Sequence, residues 1–315
     1  MNRITPITML FAAAMFAAAP AQAQAQRDRN RSRDREFTRI DSTFAFEKGG
    51  AVNVELLSGE IIISGWTRPE AKVYATIEHG WIDAQLSSHR ITLGTSSDRG
   101  RSGTARYEIS VPVGTRVQAS SVSGSIRITG TDGEVEADAV NGAVEVIGAT
   151  DRITVQTVNG RLHASKLRGR VRLGNTNSSI EADDIVGELS ASSVSGNVSL
   201  TGIQSSHVTA ETVSGYVTFA GSIDPAGNYE FSTHSGRVQI AIPDLSSATL
   251  LLETFNGRIS SAFPITLQPG EISGMARHGK KMEFTIGKGG ARITASTFSG
   301  NIIIDKGGHT SREEN

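Results

Sequence analysis

Cysteine is absent from the 315 residues, which rules out disulfides, thiolate metal sites and a lipid-bearing cysteine. Aromatic residues make up 5% of the chain and tryptophan occurs twice, so any core must be built from Val, Ile, Leu and Ala. Neither sign of charge prevails: 31 Lys and Arg stand against 32 Asp and Glu, a formal net charge of −1. That balance argues against a whole-protein attraction to nucleic acid or to an anionic membrane. After residue 40 no stretch holds apolar residues at i, i+3, i+4 and i+7 for three turns, and glycine recurs too often for long helices. Catalytic motifs are missing as well. There is no G-x-S-x-G elbow, no P-loop and no dinucleotide-binding fingerprint, and Gly49-Gly50 and Gly289-Gly290 are too short to stand in for one. No G-G-x-G-x-D run exists to cage calcium; Asp132-Gly133 and Asp183-Asp184 are isolated turn acids. None of His79, His89, His163, His207, His234, His278 and His309 pair at metal-ligand spacing. The residues therefore point to no cofactor, no metal and no catalytic residue, and to a protein that is not an enzyme.

What the chain does contain is a repeat. A small turn recurs at Ser123-Gly124, Asn141-Gly142, Asn159-Gly160, Ser195-Gly196, Ser214-Gly215, Ser235-Gly236, Asn256-Gly257 and Ser299-Gly300. Asn177-Ser178 fills the gap in the series, and His278-Gly279 stands where a further turn is due. The step is 18 residues from Gly124 to Gly196, then 19, 21 and 21, a period that signals a stacked solenoid. Within each period the apolar residues fall in triplets spaced two then three apart: Val117, Ala119, Val122; Ile126, Ile128, Thr131; Val135, Ala137, Val140; Val144, Val146, Ala149. The step of two is strand alternation with one buried face, and the steps of three and four mark corners.

This pattern predicts an all-β fold: a parallel β-solenoid of about ten coils of 18–22 residues, roughly 45 Å long at the strand spacing. Two similar halves per coil predict a two-sided solenoid, with a three-sided helix as the alternative. Val122, Val140, Val158, Thr176, Val194 and Val213 are expected to form a buried column, continued by His234, Phe255 and Phe298 as the core widens. Ser123, Asn141, Asn159, Asn177, Ser195, Ser214, Ser235 and Asn256 should stack as a polar corner column. Thr157, Thr212, Thr233, Thr254 and Thr297, with Ser121 and Ser193, are expected to form a flat outward column.

Residues 1–25 read as a secretory signal peptide: Arg3 supplies the positive end, Met9–Ala19 the short apolar run, and overlapping A-x-A sites follow up to Ala25. Residues 26–39 read as a solvated, Arg-rich linker. Residues 40–114 alternate like strands but lie off the repeat and are expected to cap the first coil, with a loop over 88–105. The repeats run over 115–305 and a polar, disordered tail over 306–315. No later segment is long and apolar enough to cross a membrane as a helix. An exported protein follows, in the periplasm or on the surface of a Gram-negative cell.

Val54–Glu70, reading VELLSGEIIISGWTRPE, and Tyr107–Gly130, reading YEISVPVGTRVQASSVSGSIRITG, together with the Ser/Asn-Gly turns, resemble a bacterial envelope family. It is a family of β-strand-repeat domains of unknown function, named as candidate adhesins. The likeness spans roughly residues 40–305. It implies a β-solenoid and an exported or envelope location, and it brings no catalytic residues.

Three functions are open at this stage. The first is a non-enzymatic envelope module that presents a rigid surface to an envelope protein or polysaccharide, with self-association through the solenoid ends as a further option. The second is a glycan-acting enzyme built on Glu145, His163 and Glu181, which would stack outward with Arg127. The two carboxylates would then lie about 9.6 Å apart, near the spacing of inverting glycosidases. The third is an envelope-stress regulatory component.

Overall fold

The computed structural model describes residues 36–96, 103–243, 247–263 and 280–307. The signal-peptide segment, residues 26–35 of the Arg-rich linker, residues 97–102 of the expected loop, the His278-Gly279 turn and the tail from 308 lie outside the described residues. The architecture lies in the unit Phe37–Asn315. Every regular element among the described residues is a β-strand, and no helix there is long and apolar enough to cross a membrane.

Parallel pairing follows the sequence period. Val144 of Val144–Ile147 pairs with Ile126 on one side and Leu162 on the other, and Leu162 pairs with Ile180. Each of those steps is 18 residues. The step becomes 19 from Val198 to Val217 and 21 from Val217 to Val238, as the turn spacing requires. The other half of each coil forms a second parallel stack: Ile153 pairs with Val135 and Val171, and Val171 with Leu189. Two parallel stacks, one from each half-coil, face each other across the core. Val117, Ala119, Ile126, Ile128, Val135, Ala137, Val144 and Val146 are each no more than about 1% exposed. Where the coils lengthen, Phe219, Tyr229 and Phe231 fill the extra width, with Phe219 and Phe231 5.1 Å apart. The buried Tyr229 hydroxyl donates to the Ser205 carbonyl at 2.6 Å.

The two corners of a coil are built differently. After Ile128 the chain passes through Gly130 at φ 64° before reaching Thr131, and Gly148, Lys166, Asp184 and Gly202 repeat that left-handed conformation one coil apart. A left-handed residue interrupts strand alternation, so Thr131, Ala149, Leu167, Ile185 and Ile203 turn back inward and are buried. No such residue separates Ala119 from Val122. Alternation runs on, Ser121 points inward and Val122 outward.

That difference corrects the expected columns. Val122 is 45% exposed and Val213 49%, and Val140, Val158, Val194, His234, Phe255 and Phe298 are exposed with them. Thr157, by contrast, is 4% exposed, and Ser121, Ser193, Thr212, Thr233, Thr254 and Thr297 are buried too. The widening core is therefore Phe219, Tyr229 and Phe231, and the rings at 234, 255 and 298 lie outside it.

Coil order in space departs from chain order at both ends. Ala51–Trp66 pairs along its length with Arg116–Thr129, so part of the segment expected as a cap is itself a coil, with Gly59 set opposite Gly124. On its other side lie Arg90–Ser96 and Ala105–Pro112, also parallel. The outermost pairs there are antiparallel: Trp81–Leu86 on Arg90–Ser96, Glu70–Ile77 on Ala105–Pro112, and Arg39–Ala45 on Glu70–Ile77. At the far end Ala291–Ser299 lies between Val217–Ser235 and Ala248–Asn256, parallel to both. Ile302–Gly307 likewise lies between Val238–Pro243 and Ile259–Ser261. Lys280–Ile286 covers Ala248–Asn256 as an antiparallel strand.

Candidate functional site

The corner marked by the Ser/Asn-Gly turns draws its form from close backbone contact. A Cβ on Gly142 would stand 2.0 Å from the Gly124 carbonyl oxygen, and one on Gly160 1.7 Å from that of Gly142. The same approach recurs at Gly215, Gly236, Gly257 and Gly300. Only a residue without a side chain lets successive turns nest this closely. The buried hydroxyl column holds those carbonyls. Thr157 donates to the Gly142 oxygen at 3.2 Å, Thr212 to Gly196 at 2.9 Å, Thr233 to Gly215 at 3.2 Å and Thr254 to Gly300 at 3.0 Å. Asn175 donates to Gly160 at 2.7 Å. The threonines expected to point outward thus brace the turn from within.

Outside them the corner asparagines form the expected ladder. Asn159 donates to Asn141 and Asn177 to Asn159, each at 2.7 Å.

Beside this ladder runs an open groove. One wall is the exposed apolar column of Leu57, Val122, Val140, Val158, Val194 and Val213, with Thr176 among them. The floor is the inward-pointing column of Ser121, Ala139, Thr157, Asn175, Ser193 and Thr212. The opposite wall carries Glu55, Asp138, Glu211 and Glu253 among Ser, Gln and Gly residues. Two stretches of about 730 and 790 Å³ make up the groove, and they join at Asn175 and Ser192, which line both. Burial, and secondarily the neighbouring Glu136 charge, push the Asp138 carboxyl above its ordinary value. Behind the floor, inside the coil, Ser121, Ser193 and Thr297 carry buried hydroxyls with no hydrogen-bond partner among the described residues.

The apolar wall ends in rings. Because Ala291–Ser299 is inserted between Val217–Ser235 and Ala248–Asn256, Phe298 lies between His234 and Phe255. The ring centroids are 4.9 Å apart for His234–Phe298 and 4.8 Å for Phe298–Phe255, with interplanar angles of 4° and 5°. The separation is the strand spacing itself.

Glu145, His163 and Glu181 do stack in register on the outer face of the other sheet, but each turns to a separate partner. The Glu145 carboxylate lies 2.6 Å from the Arg127 guanidinium, Glu181 3.8 Å from Arg161, and His163 Nδ1 3.7 Å from Asp183. None of the three lines the groove. The ladder is a solvated face on which the two glutamates pair with arginines. Among the described residues no three His, Asp, Glu or Cys side chains group as metal ligands would.

The family model described as Toastrack DUF4097 matches residues 82–305. No curated protein matches the chain. Among solved structures, a candidate adhesin from Bacteroides fragilis is 12% identical over 84% of this chain and 96% of its own, with a TM-score of 0.36. A candidate cell adhesion protein from Clostridium sporogenes is 9% identical over 85% of this chain and 100% of its own, with a TM-score of 0.21.

Proposed function

The chain belongs to the Toastrack DUF4097 family, and on that footing we propose that it is an exported, non-enzymatic binding module of the adhesin type, with the corner groove as its ligand face. One observation carries the reading: a column of exposed apolar side chains from Leu57 to Val213, interrupted at Thr176, that ends in a stack of exposed rings. Soluble proteins rarely leave contiguous apolar surface in water unless something covers it. The scaffold behind the column suits the task, because strands paired on both sides cannot flex to bury it. The antiparallel strands at the ends serve as caps that keep the stacks from pairing edge to edge with other chains. The leader-like start of the sequence, Arg3 followed by Met9–Ala19 and the A-x-A sites, supports the reading of an exported envelope protein.

The test uses residues 26–315 against a glycan array and an array of envelope-derived peptides, beside the double variant Val140→Asp, Val158→Asp. Both side chains are exposed, so the variant should fold. A ligand held by the native chain and weakened at least about tenfold in the variant is expected, since a charge in an apolar contact patch opposes binding strongly. Equal binding by both proteins refutes the groove as the ligand face.

A further inference from the structure

The groove walls differ chemically, and the difference selects a ligand. Along one side stand aliphatic and aromatic side chains; along the other Glu55, Asp138, Glu211 and Glu253. No lysine or arginine lines either stretch. A polyanion would meet a row of carboxylates with nothing to offset them. A neutral sugar chain fares little better. Sugar rings pack on the open faces of aromatic rings, yet the faces of Phe298 are covered by His234 on one side and Phe255 on the other. The ladder turns ring edges, not faces, toward the groove.

Resting on the groove as the ligand face, we infer that its occupant is an extended polypeptide segment in which lysine or arginine alternates with aliphatic residues, laid along the stack of coils. An extended chain sends successive side chains to opposite sides, one set to the carboxylate wall and the other to the valine wall. Its own backbone then runs over the floor. There it crosses the main chain of the column whose side chains point inward, Ser121 to Thr212. Asp138, already partly withdrawn from water, gains a counter-charge. Ten coils of groove at the strand spacing accommodate about 14 extended residues.

Fluorescence anisotropy on residues 26–315 tests this with three probes: a labelled 14-residue peptide alternating Lys with Val or Thr, the same peptide with Glu for Lys, and a labelled N-acetylglucosamine hexasaccharide. The lysine peptide should bind, lose affinity as salt rises, and weaken at least about tenfold both in Asp138→Lys, Glu211→Lys and in Val140→Asp, Val158→Asp. Ser190→Lys, exposed on the flat sheet, should change affinity less than about twofold. Binding of the hexasaccharide that disappears in the valine variant would overturn the polypeptide assignment, and such binding of the glutamate peptide would overturn the basic character of the segment; either leaves the groove standing. Lysine-peptide binding unchanged in both groove variants would overturn the groove as well. No binding of any probe refutes the inference.

Discussion

At the scale of single residues, the turn glycines show how much of this fold hangs on missing atoms. A methyl group on Gly160 would lie 1.7 Å from the Gly142 oxygen, while one on Gly94 meets nothing within 4 Å. Gly160→Ala should therefore cost more than about 2 kcal/mol of stability, as overpacking against backbone does. Gly94→Ala should stay within about 0.5 kcal/mol. Urea unfolding of the two variants checks the contrast. Ser178 is the informative exception. It stands where the series calls for glycine, yet the coil keeps its register on both sides. The reason is three residues upstream. Asn175 replaces the usual hydroxyl, donates to the Gly160 carbonyl at 2.7 Å and accepts from the Ser178 N–H at 2.9 Å. Its amide ties the turn to the coil before it and to Ser178 at once. The two departures from the repeat occur together in one coil, so the compensation was there to be read in the sequence.

At the scale of the strand and its corner, neighbouring residues exchange the roles that hydropathy suggests. Thr157 is buried and braced on a carbonyl, whereas Val158 is exposed. Thr157→Asp puts an unpaired carboxylate into the corner and should destabilise by about 3 kcal/mol or more. Val158→Asp should change stability by less than about 0.5 kcal/mol, as most surface substitutions do. Equal losses would mean the column assignments are wrong, and thermal unfolding of both variants decides it. Periodicity located the core pairs such as Val144 and Val146 correctly because two inward residues in a strand leave no ambiguity. The third member of each triplet depends on whether the corner contains a left-handed residue. That signal was present: Gly130, Gly148 and Gly202 follow the second triplet pair, while Ser121, Thr157 and Ser193 hold the matching place in the first. Lys166 and Asp184, which adopt the same left-handed turn, obscured it. Because the groove is defined by that third position, it was legible only after the corner was understood.

At the scale of the whole molecule, position along the chain does not give position in the stack. Ala291–Ser299 carries the same alternation as any other coil, so its pattern cannot tell whether it lies at the end or one place inward. Its partners tell: it is paired on both sides. Terminal segments usually fray first, but amides at Ile293, Ala295, Ile302 and Ile304 should exchange as slowly as those at Leu162 and Ala164 in the middle of the stack. Hydrogen exchange followed by mass spectrometry measures this, and rapid exchange at 293–304 would contradict the inserted placement. The same insertion dictates an order of events during synthesis. When residues 248–261 leave the ribosome, the surface they will finally rest beside does not yet exist, because residues 291–307 have still to be made. The outer coil must wait unpaired, or dock on the wrong neighbour and later be displaced. A nascent chain of this protein can assemble its middle as it emerges, but its far end closes only after the last coil has been translated, and a premature stop just short of it yields a stack that was never finished.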